Sequence, residues 1–234
     1  MILVNFLHGM GIRLNINYLA LVLKNVKKIK KELFLLVVSI FFGGTVSAIE
    51  EPDYQIIDKE SDFEIRQYKE YLVAEVSLNG DFSSSGGQAF RILAGYIFGD
   101  NTAKKKMNMT SPVESQSNLS EEMAMTAPVT SIADGGKYIY RFVMEKKYSL
   151  ESLPIPNDSR IKLKKINSRF MAVKKYSGTW SEENYNESKK ELLEYLRKKD
   201  ITVVGLPIFA RYNAPFVPWF LRRNEVLIEI DWSL

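Results

Sequence analysis

Residues 71–82 read YLVAEVSLNGDF, and residues 169–180 read RFMAVKKYSGTW. Laid over one another at a spacing of ninety-eight residues, Ala74 meets Ala172, Gly80 meets Gly178 and Phe82 meets Trp180. Each copy reads as a strand, then a glycine and an aromatic residue, then a stretch with helical spacing. In the first stretch Ala89, Ile92, Leu93, Tyr96 and Ile97 recur at helical intervals, and Gly99 stands where a C-cap falls. The second opens at Ser181, carries Glu182 and Glu183 in its first turn and sets Tyr185, Leu192 and Leu196 on one face. It ends in Arg197-Lys198-Lys199, so cap, acidic start and basic end all agree with the helix dipole. The spacing predicts a duplicated strand–strand–helix unit whose sheets join into one curved sheet or barrel with both helices packed on it.

Working outward, the remaining apolar residues alternate with period two. Phe63 and Ile65 do so, as do Leu72, Ala74, Val76 and Leu78, then Tyr138, Tyr140, Phe142 and Met144, then Ile161 and Leu163, and finally Val226, Ile228 and Ile230. These read as half-buried antiparallel strands, which makes the class α+β. A shorter repeat lies between the halves: residues 107–113 are MNMTSPV and residues 123–129 are MAMTAPV, identical at five of seven positions. Met-x-Met puts both sulfurs of a copy on one strand face, and the proline confines that strand to an edge or an end. With the polar Ser115-Gln116-Ser117-Asn118 between the copies, the segment predicts a pair of related edge strands.

The first 48 residues differ from the rest. KNVKKIKK at 24–31 precedes LFLLVVSIFF at 33–42, and small residues follow to Val46-Ser47-Ala48. A basic stretch, an apolar run too short for a comfortable bilayer span and a small-residue ending make a secretory signal peptide cleaved after Ala48, with an uncleaved anchor as the competing reading. No cysteine follows the apolar run, which excludes a lipoprotein anchor. Of the 32 basic and 28 acidic residues, six and one lie before Ile49, so the formal +4 of the 234-residue chain becomes a single negative charge from residue 49 onward. The basic balance therefore reports export to a periplasmic or other secreted location and is no pointer to nucleic acid or a membrane surface. The one histidine, His8, goes with the leader, and the chain has no cysteine. Residues 49–234 thus have no material for Ser-His-Asp or Cys-His catalysis, a zincin site, disulfides or His-ligated haem.

The doubled Met-x-Met-Thr-x-Pro-Val, the helix region at 82–98 leading into it, and FARYNAPFVPWFLRRNEVLIEI at 209–230 together resemble the SOUL haem-binding family. The likeness runs over roughly residues 54–232. It implies a distorted antiparallel barrel of two pseudo-symmetric halves flanked by two helices, in agreement with the duplication. It also implies haem or tetrapyrrole binding without catalysis, in a groove between the first helix, 89–98, and the loop at 212–223. A porphyrin is a flat apolar disc with carboxylates at one edge, so such a groove needs apolar walls and cations at the rim. Tyr96, Phe98, Tyr212, Phe216, Trp219 and Phe220 are the candidate walls and other contacts; Arg91, Lys104 with Lys105 and Lys106, Arg222 and Arg223 are the candidate cations.

Each has a competing structural reading. Ile92, Leu93, Tyr96 and Ile97 form the buried stripe of an amphipathic helix, the lysine run can be a solvated loop, and Arg222-Arg223-Asn224-Glu225 can fix the turn into the last strand. PFVPWF at 215–220 has four large apolar side chains and two prolines, which makes a stiff loop and a poor strand, typical of a binding surface. At the iron the chain departs from relatives that use histidine, leaving Tyr212, Tyr96, Met107 or Met109, or a ring held by packing and charge alone, the last being the expectation. Two other readings stay open: a general small-ligand module of gyrase-inhibitor-like type, and Cu(I) binding by the methionine pairs. No Gly-x-Ser-x-Gly elbow or phosphate loop marks an enzyme, and the pair Gly86-Gly87 ahead of a helix is a weak anion cradle.

Overall fold

The computed structural model describes residues 49–82, 84–104 and 120–232, all within the compact unit Ile49–Leu234. The leader, Lys105, Lys106 and the first methionine repeat with Met107 and Met109 lie outside the described residues.

Three strands open the domain, β1 (Tyr54–Glu60), β2 (Phe63–Tyr68) and β3 (Tyr71–Asn79), followed by helix α1 (Ser84–Ile97) and a short β4 (Asn101–Thr102). Then come β5 (Val129–Asp134), β6 (Lys137–Val143), β7 (Ile155–Pro156), β8 (Lys162–Ile166) and β9 (Arg169–Tyr176). Helix α2 (Glu182–Lys198), β10 (Thr202–Val203), β11 (Ile208–Arg211), a 3-10 turn at Trp219–Leu221 and β12 (Asn224–Asp231) complete it. The main sheet is antiparallel in the order β1-β2-β9-β12-β11-β5-β6-β3-β8, with β10 continuing beside β12 beyond the end of β11. It curls into a half-barrel, the α+β architecture expected. β4 and β7 pair separately, and β1 and β8 are the two ends of the sheet.

The strand registers demonstrate the duplication. Ile65 sits opposite Ala172, and Leu163 opposite Ala74; Glu64 faces Val173, and Lys162 faces Glu75. Advancing either residue of the first half by ninety-eight reproduces its mate. From Val76 the sheet steps to Tyr140 and Ser131; from the matching Lys174 it steps to Val226 and Phe209. Ser131 and Phe209 pair with each other, so the pseudo-twofold axis passes between them.

Alternation divides the sheet into two faces. Ala74, Val76 and Leu78 point to α1 with Leu93, Tyr96 and Ile97, while Ala172, Val226 and Ile228 point to α2 with Tyr185, Leu192 and Leu196. Burying each of these larger side chains contributes about 1.5–3 kcal/mol. The Ser181 side chain accepts the Asn184 amide at 3.3 Å, the cap the sequence predicted. Gly99, at φ +106°, closes α1 in a conformation that favours glycine.

The opposite face, inside the curl, holds Ile132, Met171, Val173, Ile208 and Leu227 around a buried ionic cluster. Arg66 is fully buried and forks onto Glu225 through two bonds of 2.9 Å, while its Nε donates to Glu64 at 2.8 Å. Burial alone would raise the Glu64 carboxyl, but hydrogen bonds from Lys175 and Arg66 outweigh it and hold the pKa at about 2. The inner void has a volume of only ≈ 30 Å³, room for water and none for an organic ligand.

The second methionine repeat departs from the expected edge strand. Residues 120–128 form no ladder, and β5 starts only at Val129, after Pro128, which has no N–H to give a sheet. The segment is tied down piecemeal instead: the Met123 amide donates to the Ile97 carbonyl and the Ala124 amide to Glu145. Met123 and Met125 both pack against the core under α1, as core-filling methionines do.

Candidate functional site

A cavity of ≈ 700 Å³ opens on the helix-bearing face. Its floor follows from sheet register. Phe142 pairs with Val129, and Val129 pairs with Arg211, so these three lie in one row across β6, β5 and β11 and project to the same face. One wall is the start of α1, with Gly86, Gly87, Phe90 and Leu93; the other is Trp180, Ser181 and Glu182 at the start of α2. Ile49, Met125 to Ala127 and Tyr212 to Pro215 form the rim. The lining is mostly apolar and aromatic, and Phe90 meets Phe142 edge-on at 5.6 Å.

The pseudo-twofold explains why one half holds the larger cavity, the matching region beside α2 keeping a pocket of only ≈ 220 Å³. Near the start of α2, Tyr185 lies 5.2 Å from Phe209 and 5.9 Å from Phe82, ring to ring, and takes up part of the space between helix and sheet. At the corresponding place in α1 stand Gly86 and Gly87, and a Cβ built on Gly87 would meet nothing within 4 Å. The glycine pair works here by leaving volume open.

Two charged groups line the cavity. Glu182 is exposed and makes no ion pair with Arg211. The Arg211 side chain forms no hydrogen bond or ion pair with any described residue, and its Nε is buried without a partner. Its guanidinium lies 5.1 Å from the Phe209 ring centre and 5.9 Å from that of Trp180. Burial lowers its pKa from the ordinary arginine value, with nearby Tyr140 and Tyr176 opposing. Across the same sheet row, past Asn224, the Tyr176 hydroxyl is also buried and unpartnered.

Of the residues singled out from sequence, Tyr212 lines the cavity. Its hydroxyl donates to Glu225 at 2.6 Å, and burial together with that carboxylate raises its pKa well above the phenol range. Arg222 and Arg223 stand beside the rim as struts. Arg222 donates to the Val217 and Pro215 carbonyls at 2.8 and 2.7 Å and lies 4.4 Å above the Trp180 ring. Arg223 binds Glu51 and Glu225, each at 3.0 Å, and covers the Tyr212 ring at 3.7 Å. Phe216 and Trp219 continue the rim loop outward with Phe220 and Leu221; Phe216 is 88% exposed, so these rings form an apolar tip beyond the cavity. Tyr96 is fully buried under α1, where its hydroxyl donates to the Pro154 carbonyl at 2.9 Å. Arg91, Phe98 and Lys104 are exposed and do not line the cavity; the Lys104 ammonium reaches the Leu150 carbonyl at 3.5 Å. Phe82, Phe90, Phe142, Trp180 and Arg211 also line it and were not singled out as site residues. Phe82 and Trp180 were visible as the matched aromatic pair of the duplication, Phe142 as a strand residue and Arg211 within the block at 209–230, but none of these signals pointed to a cavity.

A second depression of ≈ 480 Å³ is edged by Glu50, Glu51, Asp53, Glu70, Glu145 and Glu151 against Lys146 and Lys165, which are paired with Asp53 and Glu70, so its rim is net acidic and disfavours a carboxylate ligand. No cluster of His, Cys, Asp and Glu able to hold a metal occurs among the described residues, and no described helix is long and apolar enough to cross a membrane.

A half-barrel with a mostly apolar cavity of ≈ 700 Å³ between helix and sheet has an architecture suited to enclosing a small ligand. The chain belongs to the SOUL family: the family model described as SOUL heme-binding protein matches residues 49–229. That family is one of binding proteins. Among solved structures, the fold is similar to the EcmrR C-terminal domain, with TM-score 0.53, 11% identity and coverage of 77% of this chain and 99% of that one. A hydrolase from Listeria innocua gives TM-score 0.51 at 10% identity, covering 75% and 94%. EcmrR in its complex with DNA gives TM-score 0.50 at 10% identity, covering 90% and 70%. At such identities the likeness is one of fold. No curated protein matches the sequence.

Proposed function

We propose that the chain is an exported, non-catalytic binder of a tetrapyrrole such as haem, or of a similarly flat apolar acid, and that the ligand occupies the cavity between α1 and the sheet. The observation that carries this reading is the cavity itself: ≈ 700 Å³, mostly apolar and bounded by Phe90, Phe142 and Trp180. That volume falls within the range of small-molecule sites, roughly 300–1,000 Å³, and aromatic walls suit a planar ring. Membership of a haem-binding family supports the same ligand class.

Haem, when bound, would bring an iron centre. Of the two candidate tyrosines, Tyr212 has its proton held against Glu225 and Tyr96 is enclosed at Pro154, so neither is well placed to ligate it. In this reading packing and charge hold the ring, and other porphyrins are accommodated. The export reading rests on the leader at 1–48 and the sign change of charge at its end.

Titration of the purified protein with hemin, followed by absorption, tests the reading. Saturable binding with a broad, weakly ligated spectrum is expected. A sharp low-spin spectrum of two strong axial ligands would refute the ligand-free iron, and absence of saturable binding would refute the function. Fractionation and N-terminal sequencing in a host that exports proteins should find the mature chain outside the cytoplasm, beginning at Ile49.

A further inference from the structure

We infer that Arg211 is an internal carboxylate receptor, so that the ligand enters acid-first, with one carboxylate on the cavity floor and its apolar body toward Phe90, Phe142 and the rim. The inference rests on the function proposed above and goes beyond it by fixing orientation and ligand chemistry. The expected rim cations are already engaged: Arg222 on two backbone carbonyls and Arg223 on Glu51 and Glu225. Among the described residues Arg211 is the one cation lining the cavity, and its guanidinium has no acceptor there.

Placement gives the arginine its purpose. Register puts it beside Val129 and Phe142 on an apolar floor, where a guanidinium with no acceptor is costly. Its twofold counterpart is Ala133: Ala210 pairs with Thr130 and Ile208 with Ile132 about the Ser131–Phe209 centre, and one further step leads from Arg211 to Ala133. The half with the smaller pocket, ≈ 220 Å³, thus carries a methyl group at the matching place, and the half with the ≈ 700 Å³ cavity carries a charge. The flanking Phe209 and Trp180 rings steer the guanidinium, a planar donor fork that matches a carboxylate. Glu182, the only carboxylate on the lining among the described residues, stands at the exposed start of α2 and leaves the Arg211 side chain unpaired.

The test compares protoporphyrin IX with its dimethyl ester, which keeps the ring and removes both negative charges, on the wild type and on Arg211→Met. The wild type should bind the acid about 10- to 100-fold more tightly than the diester, as befits a charge-assisted hydrogen bond. In Arg211→Met this ratio should fall to about one, through loss of acid binding and with the diester affinity retained. Arg211→Lys, with charge but no fork, should lie between. Equal affinity of the wild type for acid and diester would overturn the inference and leave the function standing; failure to bind either would overturn both. A ligand-independent readout accompanies these titrations. Arg211→Met should melt no lower than the wild type without ligand, because it removes a buried, unpartnered charge. A clear fall in melting temperature would mean that the guanidinium already has its acceptor within the protein and would overturn the inference.

Discussion

Gly87 offers a separation of stability from binding. It lies in the first turns of α1 without a positive φ, and a Cβ built there touches nothing within 4 Å, whereas one on Gly86 would come within 3.7 Å of the Tyr140 hydroxyl. Gly87→Ala therefore adds no clash and removes backbone freedom from the unfolded chain. The expected gain is about 0.5–1 kcal/mol, and for a domain of this size each kcal/mol raises the melting temperature by about 2–4 °C. Gly87→Trp should keep that stability and plug the cavity, since the indole has only the ligand volume to occupy. Thermal unfolding by circular dichroism and porphyrin titration of the same preparations read the two effects. The alanine variant should melt 1–4 °C higher, and the tryptophan variant should bind porphyrin at least about tenfold more weakly while staying folded, a loss of about 1.4 kcal/mol. A lower melting temperature for Gly87→Ala would refute the packing argument. Unchanged porphyrin affinity in Gly87→Trp would refute the assignment of the ligand to this cavity.

Glu225→Ala leaves the buried Arg66 fork without its main acceptor and should cost about 3–5 kcal/mol in urea unfolding; a cost below about 1 kcal/mol would show that Glu64 alone satisfies the guanidinium. Tyr185→Ala should enlarge the ≈ 220 Å³ pocket beside Phe82 and Phe209 at a cost of about 3–5 kcal/mol, read by denaturation and by stronger binding of a small apolar dye. Stability should also fall in acid. Glu64 has a folded pKa of about 2 against an ordinary 4.5, so its contribution is complete above about pH 4.5 and is lost as pH falls toward 2. Glu64→Gln should flatten that part of the melting-temperature profile, and an unchanged slope would assign the acid sensitivity elsewhere.

Much of the fold was legible because a duplicated sequence states its register twice. Ala74 and Ala172 are small where a helix crosses the sheet, and Gly80 and Gly178 share φ +132° at the same turn. The buried faces of both helices could be read from period alone. The site was less legible because it depends on what each side chain meets. Arg222-Arg223 looks like a cationic rim in one dimension; in three, the nearby Pro215 and Val217 carbonyls and the carboxylates of Glu51 and Glu225 engage it. Arg211 sits inconspicuously in FARY, and only the sheet row reveals that it faces a cavity without an acceptor. Tyr96 has the spacing of a core residue and of a groove wall alike, and its burial with the hydroxyl on Pro154 places it in the core. The second methionine repeat had the alternation of a strand, but Pro128 delays the ladder until β5.

The two ends of the half-barrel are unequal. β2 and β8 are twofold mates, yet β2 is covered by β1, whereas β8 has no further strand beside it among the described residues. A bare strand edge is a template on which a second chain can extend the sheet, the first step toward aggregation. β8 reads KLKKI, and its Lys162, Lys164 and Lys165 concentrate positive charge in a five-residue strand. Lys164 and Lys165 are anchored to Glu75 and Glu70 of their own molecule. An approaching copy of the same strand would bring three more lysines against them, so charge guards the end of the sheet where, among the described residues, the second half of the duplication has no covering strand.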